Sequence, residues 1–437
     1  MSGPQAGERV RIDGLAHDGR GVGRLAGKAV FVAGALPGEQ ARIRRLARHA
    51  RHDEAQLLEL LEASADRVVP PCAAFARCGG CALQHLAPAA QLAAKSTELL
   101  SQLKRIGRLE PARVLQPVTG PDLGYRRRAR LGVKYLAREK RAIVGFRARD
   151  SAQLAALDRC PVLAAPADEL CAALAALIGT LTIPTEVPQI EVAVTDAVTV
   201  LVLRLLAPLG AGDAERLRVF AREHGIEFWL QPGEGSVVEA LDPPGSELSY
   251  RLEAFDLTLG FAPLDFVQVN ATVNERLVAQ TLELLAPEAG DAVLDLFAGL
   301  GNFTLPIARR AKSVIGVDAD EALIGRARDN ARRNSISTAR FALANLAGEL
   351  KHEPWAREKF DLVLLDPPRG GALEVLPLIG RGSARRVVYI SCHPGTLARD
   401  AGILVHQFRY RLVAAGVMDM FPHTAHLESI AVFESAR

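Results

Sequence analysis

The sequence predicts a multidomain protein. It has a small N-terminal β-barrel of OB-like type, a central α/β domain with a cysteine-rich loop, and a C-terminal α/β domain on a parallel sheet. Three observations carry this. At 437 residues the chain is too long for one ordinary hydrophobic core, so two or three domains are expected. Short β-prone stretches split by glycine turns open the chain, as in small barrels. From about Phe255 onward, apolar strands alternate with helices, the pattern of a parallel sheet covered on both faces. The expected domains are 1–64, 65–254 and 255–437.

In the first domain, Val10-Arg11-Ile12, Ala29-Val30-Phe31-Val32 and Ala41-Arg42-Ile43 alternate with turns such as Asp18-Gly19-Arg20-Gly21. Arg42, Arg44, Arg45, Arg48 and Arg51 then make a basic stretch, read either as phosphate contacts or as a solvated strand edge. Charge is unevenly spread. Residues 1–150 hold 27 Lys and Arg against 14 Asp and Glu, whereas the remainder holds 26 against 36. A basic front on an acidic rear suits a polyanion-binding front. Hydrophobic residues at 49% and charged residues at 24% give a soluble globular balance. No uninterrupted apolar run is long enough to span a membrane, so no membrane partner is expected. The start MSGPQAGERVRIDG lacks an apolar signal core, and a cytoplasmic protein is expected.

Six cysteines, unevenly clustered in a chain this long, do not form a disulfide framework. Cys72, Cys78 and Cys81 crowd a glycine-rich loop and read as thiolate ligands of one metal centre. Cys160, followed by Pro161, is the best fourth ligand. Four thiolates fit a [4Fe-4S] cluster or, less well favoured, structural zinc, and spacing does not choose between them. Cys171 lies on an apolar helical stripe and reads as core. A helix is expected near Leu92–Gly107. The run Tyr125-Arg126-Arg127-Arg128-Ala129-Arg130 pairs an aromatic with four arginines, suited to stacking and phosphate clamping on RNA. Asp242-Pro243-Pro244-Gly245-Ser246 marks a loop near the last domain boundary.

In the last domain, Ala292–Phe297 reads as a strand, followed by the turn Ala298-Gly299-Leu300-Gly301 and a helix. Glycines there let backbone approach a ligand closely. Asp318, at the end of the next strand, is placed to accept hydrogen bonds from ribose hydroxyls. The turn lacks the full Gly-x-Gly-x-x-Gly spacing of pyrophosphate sites. That favours a nucleoside without phosphates, as in S-adenosylmethionine, over NAD. Asn345, at the end of a third strand, is either an adenine contact or a loop asparagine. Cys392 follows the apolar run Val387-Val388-Tyr389-Ile390, a thiol at the carboxyl end of a buried strand, where open α/β sheets hold their ligand crevice.

Taken together, these residues resemble the uracil-5-methyltransferase family of RNA enzymes. The motifs are FAPLDFVQVN (Phe261–Asn270), DLFAGLGNFTLP (Asp295–Pro306), LDPPRGG (Leu365–Gly371), SCHPGTLARD (Ser391–Asp400) and FPHTAHLES (Phe421–Ser429). GRGVGRLAGKAVFVAGALPGE resembles a TRAM domain, and CGGCALQH the family's iron–sulfur loop. The resemblance implies a Rossmann-like methyltransferase domain and a monomer acting on RNA rather than DNA. The branch with both a TRAM domain and the cluster implies 23S ribosomal RNA as substrate; transfer RNA or another ribosomal site is the alternative. It also implies that Gln268, Phe297, Asn302, Asp318, Asn345 and Asp366 bind S-adenosylmethionine or the target base. Cys392 is the implied nucleophile and Glu428 the base. Asp318 stands where many relatives have glutamate, Ala298 replaces a frequent cysteine, and His393 a frequent asparagine. Phe266 sits where the family can present an aromatic ring, though a core phenylalanine fits equally. His423 and His426 flank Glu428, either orienting it or serving as structural histidines.

The chemistry explains the residue types. Carbon 5 of uracil is too weak a nucleophile to take a methyl group unaided, and thiolate addition at carbon 6 would activate it. A base must then remove the carbon-5 proton so that the thiolate can leave. An amino-methyltransferase would carry an aromatic after the two prolines, where Arg369 stands. A cytosine-5-methyltransferase would carry its cysteine in a Pro-Cys or Thr-Cys context. A non-catalytic RNA-binding protein with a metal sensor leaves the rear site unexplained.

Overall fold

The computed structural model describes residues 7–149, 151–233, 235 and 237–436. The first six residues, part of the start that lacks a signal core, lie outside these. The chain forms two compact units. The smaller comprises residues up to Glu98 together with Arg147–Ala155 and Phe421–His426; the larger comprises Leu99–Phe146, Ala156–Met420 and the C-terminal strand.

In the smaller unit, β1 (Glu8–Leu15), β2 (Gly21–Leu25), β3 (Lys28–Ala33), β4 (Gln40–Arg48) and β5 (His52–Glu62) close into a barrel of order β1-β2-β3-β5-β4. Period-2 alternation sends Val10, Ile12, Val30, Val32, Ala41, Ile43 and Ala55 inward to a common core. Glycine is needed at Gly23, where a Cβ would lie 2.3 Å from the Arg11 carbonyl oxygen of the paired strand. β4 pairs with β1 over Gln40–Ile43 and with β5 out to Arg48, so Arg42 lies between two strands while Arg44, Arg45 and Arg48 extend past β1. Arg45 pairs with Glu8 and Asp53, and Arg42 with Glu59. Glu39 is fully buried and takes the guanidinium of Arg67 together with the backbone N–H of Leu36 and Ser64. Beyond the cysteine loop, α1 (Pro88–Gln102) starts earlier than expected, because Pro88 fits a first helical turn.

The larger unit holds two large sheets and a two-stranded one. After the short β6 (Arg113–Val114) come β7 (Arg128–Leu136), β8 (Arg141–Gly145), α2 (Leu170–Thr180), β9 (Gln189–Val194), β10 (Thr199–Leu205), α3 (Ala211–His224), β11 (Glu227–Pro232) and β12 (Glu239–Ala240). These strands form a six-stranded sheet of order β12-β11-β10-β9-β7-β8, and Cys171 on α2 is core, as expected. A hairpin, β13 (Ser249–Leu252) and β14 (Leu257–Gly260), leads to α4 (Ala271–Leu285), which Asn270 caps by accepting the Val273 N–H.

The second sheet is doubly wound. Its elements are β15 (Ala292–Leu296), α5 (Thr304–Ala308), β16 (Ser313–Asp318), α6 (Glu321–Arg333), β17 (Ala339–Leu343), β18 (Leu362–Leu365), α7 (Leu376–Arg381), β19 (Arg386–Ser391), α8 (Pro394–His406), β20 (Tyr410–Met418) and β21 (Glu428–Ser435). The order is β17-β16-β15-β18-β19-β21-β20-β6. The first five strands are parallel; β21 runs antiparallel to β19 and β20. Strands buried on both faces explain the unbroken apolar runs, such as Leu362–Leu365. Strand order reverses between β15 and β18, which puts the ligand crevice at their carboxyl ends. No helix among the described residues is long and apolar enough to cross a membrane.

Candidate active site

Five parallel strands share one carboxyl edge, and almost every candidate residue sits there. Phe297 follows β15, Asp318 ends β16, Asn345 lies two residues beyond β17, Asp366 follows β18 and Cys392 follows β19. The turn after β15 is tightly shaped. Phe297 takes φ +68°, unusual for a bulky residue, and so both its N–H and that of Ala298 reach the Val317 carbonyl. Gly299 (φ +54°) and Gly301 (φ +97°) continue in conformations that favour glycine. The Gly299 N–H donates to Asp318 Oδ2 at 2.9 Å, and the Asp320 N–H to Oδ1 at 3.0 Å. Each Asp318 oxygen thus keeps a lone pair for a ligand hydroxyl.

Asn302 is held on both sides of its amide. Its Oδ1 accepts from Tyr250 Oη and from Asn274 Nδ2, each at 2.9 Å, and its Nδ2 donates to Asn274 Oδ1 at 3.0 Å. Asn274 lies one turn into α4, so this pair ties the glycine turn to that helix. Gln268 is the one candidate that no strand register brings to the edge; it is half-buried on the loop ahead of α4. Asn345 is exposed, with Oδ1 accepting the Ala347 N–H.

Two carboxyls stand beside this turn. Asp295, on β15, is fully buried; Thr304 Oγ1 donates to its Oδ2 at 2.5 Å, while Oδ1 has no protein partner. Burial, with the charges of Asp366 and Asp318 adding to it, pushes Asp295 up to about 7. Burial likewise pushes Asp366 up to about 7. Asp295 had no assigned role in the sequence reading. Its signal was a carboxyl inside an otherwise apolar strand.

Register explains how Glu428 meets Cys392. In the β19–β21 pair, Ser391 lies opposite Ser429, and Ser429 Oγ donates to the Ser391 carbonyl. Cys392 follows Ser391 and Glu428 precedes Ser429, so this register leads the two residues toward each other. The two residues interact: the Cys392 thiol is pushed up to about 11, by burial first and then by the charges of Glu428 and Asp366, with Arg369 opposing. Arg369, noted in the sequence for lacking an aromatic ring, is thus the cation beside the thiol. His393 caps α8, its Nδ1 accepting the Thr396 N–H. Of the two histidines read beside Glu428, His423 is buried within the smaller unit, where its Nδ1 meets Gln91 Nε2 and its N–H reaches Gln91 Oε1.

Tyr125 does not serve as a stacking platform. It is only 4% exposed, and the neighbouring arginines surround the mouth of a groove of about 710 Å³ without it. The aromatic ring in that groove is Phe266, 71% exposed and therefore not core. Arg126, Arg128, Arg130 and Arg204 line the same groove.

The cysteine loop belongs to the smaller unit. The Gly80 N–H donates to Cys78 Sγ at 3.4 Å, Arg149 holds the Cys81 carbonyl, and the Cys72 N–H reaches Gln84 Oε1. Cys160 is buried on the larger unit. Among the described residues, the metal-ligand types whose ligand atoms all lie within 4.8 Å of one another are His49, His52 and Glu54, a group the sequence reading did not include.

Residues 255–436 match the family model described as tRNA (Uracil-5-)-methyltransferase, and residues 8–44 match the TRAM domain. A 23S rRNA (uracil(1939)-C(5))-methyltransferase RlmD from Alkalilimnicola ehrlichii is 50% identical, covering 99% of this chain and 97% of the relative. An RlmD from Stenotrophomonas maltophilia is 47% identical, covering 98% and 97%. The crystal structure of Pyrococcus abyssi tRNA (uracil-54, C5)-methyltransferase in complex with S-adenosyl-L-homocysteine superposes with a TM-score of 0.76 at 25% identity, covering 98% of this chain and all of that one. With a glycine turn, a strand-end carboxylate and a Cys–Glu pair on one sheet edge, and with relatives this similar along their whole length, the chain belongs to the RNA uracil-5-methyltransferase family.

Proposed function

We propose that the protein methylates carbon 5 of a uridine in 23S ribosomal RNA through a covalent adduct between Cys392 and carbon 6 of the base. The observation that supports this reading is the Ser391–Ser429 pairing, which leads Cys392 toward Glu428, whose charge acts on the thiol, at the edge that also bears Asp318 and Asp366. The RlmD relatives favour 23S rRNA as the substrate. S-adenosylmethionine supplies the methyl group. The turn suits it: Asp318 keeps lone pairs for a ribose, and Asp295 carries an orphaned buried oxygen. Gln268, Phe297, Asn302 and Asn345 complete the cradle in this reading.

The steps follow from the side chains. Cys392 gives up its proton to water, and its thiolate bonds to carbon 6 as the carbon 5–carbon 6 π pair moves to carbon 5. The carbon-5 electron pair would bond to the methyl carbon as the sulfonium S–CH3 bond breaks, its electrons staying on sulfur and leaving a neutral thioether. Glu428 then removes the carbon-5 proton, and the electron pair left behind expels the thiolate. Asp366, pushed up to about 7, has a proton to donate to the uracil imide edge. The uridine leaves its RNA stack to reach the site.

RNA with 5-fluorouridine at the target traps a stable protein–RNA adduct, because no proton can leave carbon 5. Adduct formation by Cys392→Ala would sink the nucleophile assignment. Glu428→Gln accumulates methylated covalent complex; clean turnover by that variant refutes Glu428 as base.

Cys72, Cys78, Cys81 and Cys160 are proposed to hold a [4Fe-4S] cluster, with zinc as the alternative. Four thiolates are the donor set of such a cluster. His85, four residues past Cys81 and next to the Gln84 that holds Cys72, is buried with both ring nitrogens lacking a protein partner. Iron and acid-labile sulfide in anaerobically purified protein, with a broad absorbance band, support the cluster; zinc alone refutes it.

A further inference from the structure

We propose that His49, His52 and Glu54 form a second, separate metal site, taking one divalent transition-metal ion such as Zn²⁺ on the barrel's β4–β5 hairpin. The backbone fixes two of the three ligands. β4 ends at Arg48 and β5 begins at His52, so Ala50 and Arg51 make a two-residue turn, closed by the His49 N–H donating to the His52 carbonyl at 2.9 Å. The histidines are the shoulders of that turn. Strand period supplies the third ligand. Asp53 and Ala55 point into the barrel, so His52 and Glu54 share its outer face.

The ligand atoms of the three side chains all lie within 4.8 Å of one another. The two imidazoles lie nearly face to face, 4.5 Å between centroids and 29° between planes. No hydrogen bond to either ring is present among the described residues. The Phe31 ring stands edge-on to His52 at 5.3 Å and walls one side. Two imidazoles and a carboxylate are an established donor set for zinc and its neighbours, leaving one position to water. The competitor is also visible. Arg20 Nη1 donates to Glu54 Oε1 at 3.1 Å, and Arg20 is itself held by Asp18 at 2.7 Å and lies over Phe31. An ion must share Glu54 with Arg20. The nitrogen and oxygen donors also separate this site from the thiolate set.

That competition gives a two-sided test in the full-length protein. Zinc bound per chain is measured by native mass spectrometry during titration with Zn²⁺. Co²⁺ substitution adds an optical readout: weak visible bands from this site, without the near-ultraviolet sulfur charge-transfer absorption of thiolate sites. His49→Ala with His52→Ala removes one equivalent of zinc and the weak bands, leaving the thiolate absorption. Glu54→Gln weakens binding more than about tenfold, a loss expected for a ligand given what second-sphere changes alone cost. Arg20→Ala tightens it several-fold by freeing Glu54, a gain that misfolding does not produce. Unchanged zinc stoichiometry in the double histidine variant overturns the proposal. So does unchanged affinity in both Glu54→Gln and Arg20→Ala.

Discussion

Cys392 rests as a thiol, and its neighbours set how reactive it is. With its pKa pushed up to about 11, only about one molecule in ten thousand carries the thiolate at pH 7. Burial disfavours the charge first, and Glu428 and Asp366 add to that. In the proposed mechanism this keeps the nucleophile silent until its site fills, protected from stray alkylation and oxidation. The sign of each substitution follows. Glu428→Gln removes a negative charge beside the sulfur, so the thiol pKa falls and alkylation by iodoacetamide at pH 8 speeds up, about tenfold for each unit the pKa drops. Arg369→Ala removes the opposing cation and slows the same reaction. The alkylation rate against pH, followed by mass spectrometry of the Cys392 peptide, reads both. If Glu428→Gln reacts no faster than the parent, the coupling across the β19–β21 pair is absent.

At the scale of elements, the barrel draws stability from the buried carboxylate of Glu39. Burial works against the charge of Glu39, but Arg67 and the N–H groups of Leu36 and Ser64 outweigh it and hold its carboxyl below the usual range. A depressed carboxyl contributes stability above its unfolded value of about 4.3, and loses it as pH falls through the lower folded value. Below about pH 4 the parent barrel therefore loosens in a way that Glu39→Gln does not. At neutral pH, Glu39→Gln costs on the order of 3 kcal/mol, because Arg67 is left without its buried partner. Thermal unfolding at pH 7 and at pH 3.5 checks both signs. The gap between parent and variant should narrow in acid; a constant gap refutes the assignment. Strands such as Leu362–Leu365 were readable because burial on both faces leaves an unbroken apolar run. The insertion of β21 between β19 and β20 was not, since register between segments distant in sequence leaves no local mark. The family motifs had named Glu428 without saying why it meets Cys392; the pairing of Ser391 with Ser429 supplies the reason. The Tyr125 ring failed for a related cause: a run of arginines tells that a segment is basic, but not which way its aromatic side chain turns.

Across the whole molecule, the charge imbalance read from sequence resolves into specific surfaces. Part of it is spent internally: Arg45, Arg67 and Arg42 pair with carboxylates of the barrel unit. Arginines of the larger unit line a groove instead, together with the exposed Phe266. The two kinds of side chain make separable contributions to RNA affinity. A cation against phosphate releases counterions, so its removal lowers the salt slope, by about 0.7 per contact for single strands. A ring stacked on a base changes affinity, by about 1–3 kcal/mol, with little effect on that slope. Arg130, 70% exposed at its side chain although it touches Glu191, is the arginine to test. With target RNA, Arg130→Ala should weaken binding and flatten the plot of log affinity against log salt. Phe266→Ala should weaken binding and leave the plot parallel to the parent. Fluorescence anisotropy over a range of potassium chloride concentrations measures both. If Phe266→Ala changes the slope and Arg130→Ala does not, the groove does not hold RNA by phosphate contact and stacking in these roles, and the basic surface must be sought elsewhere on the chain.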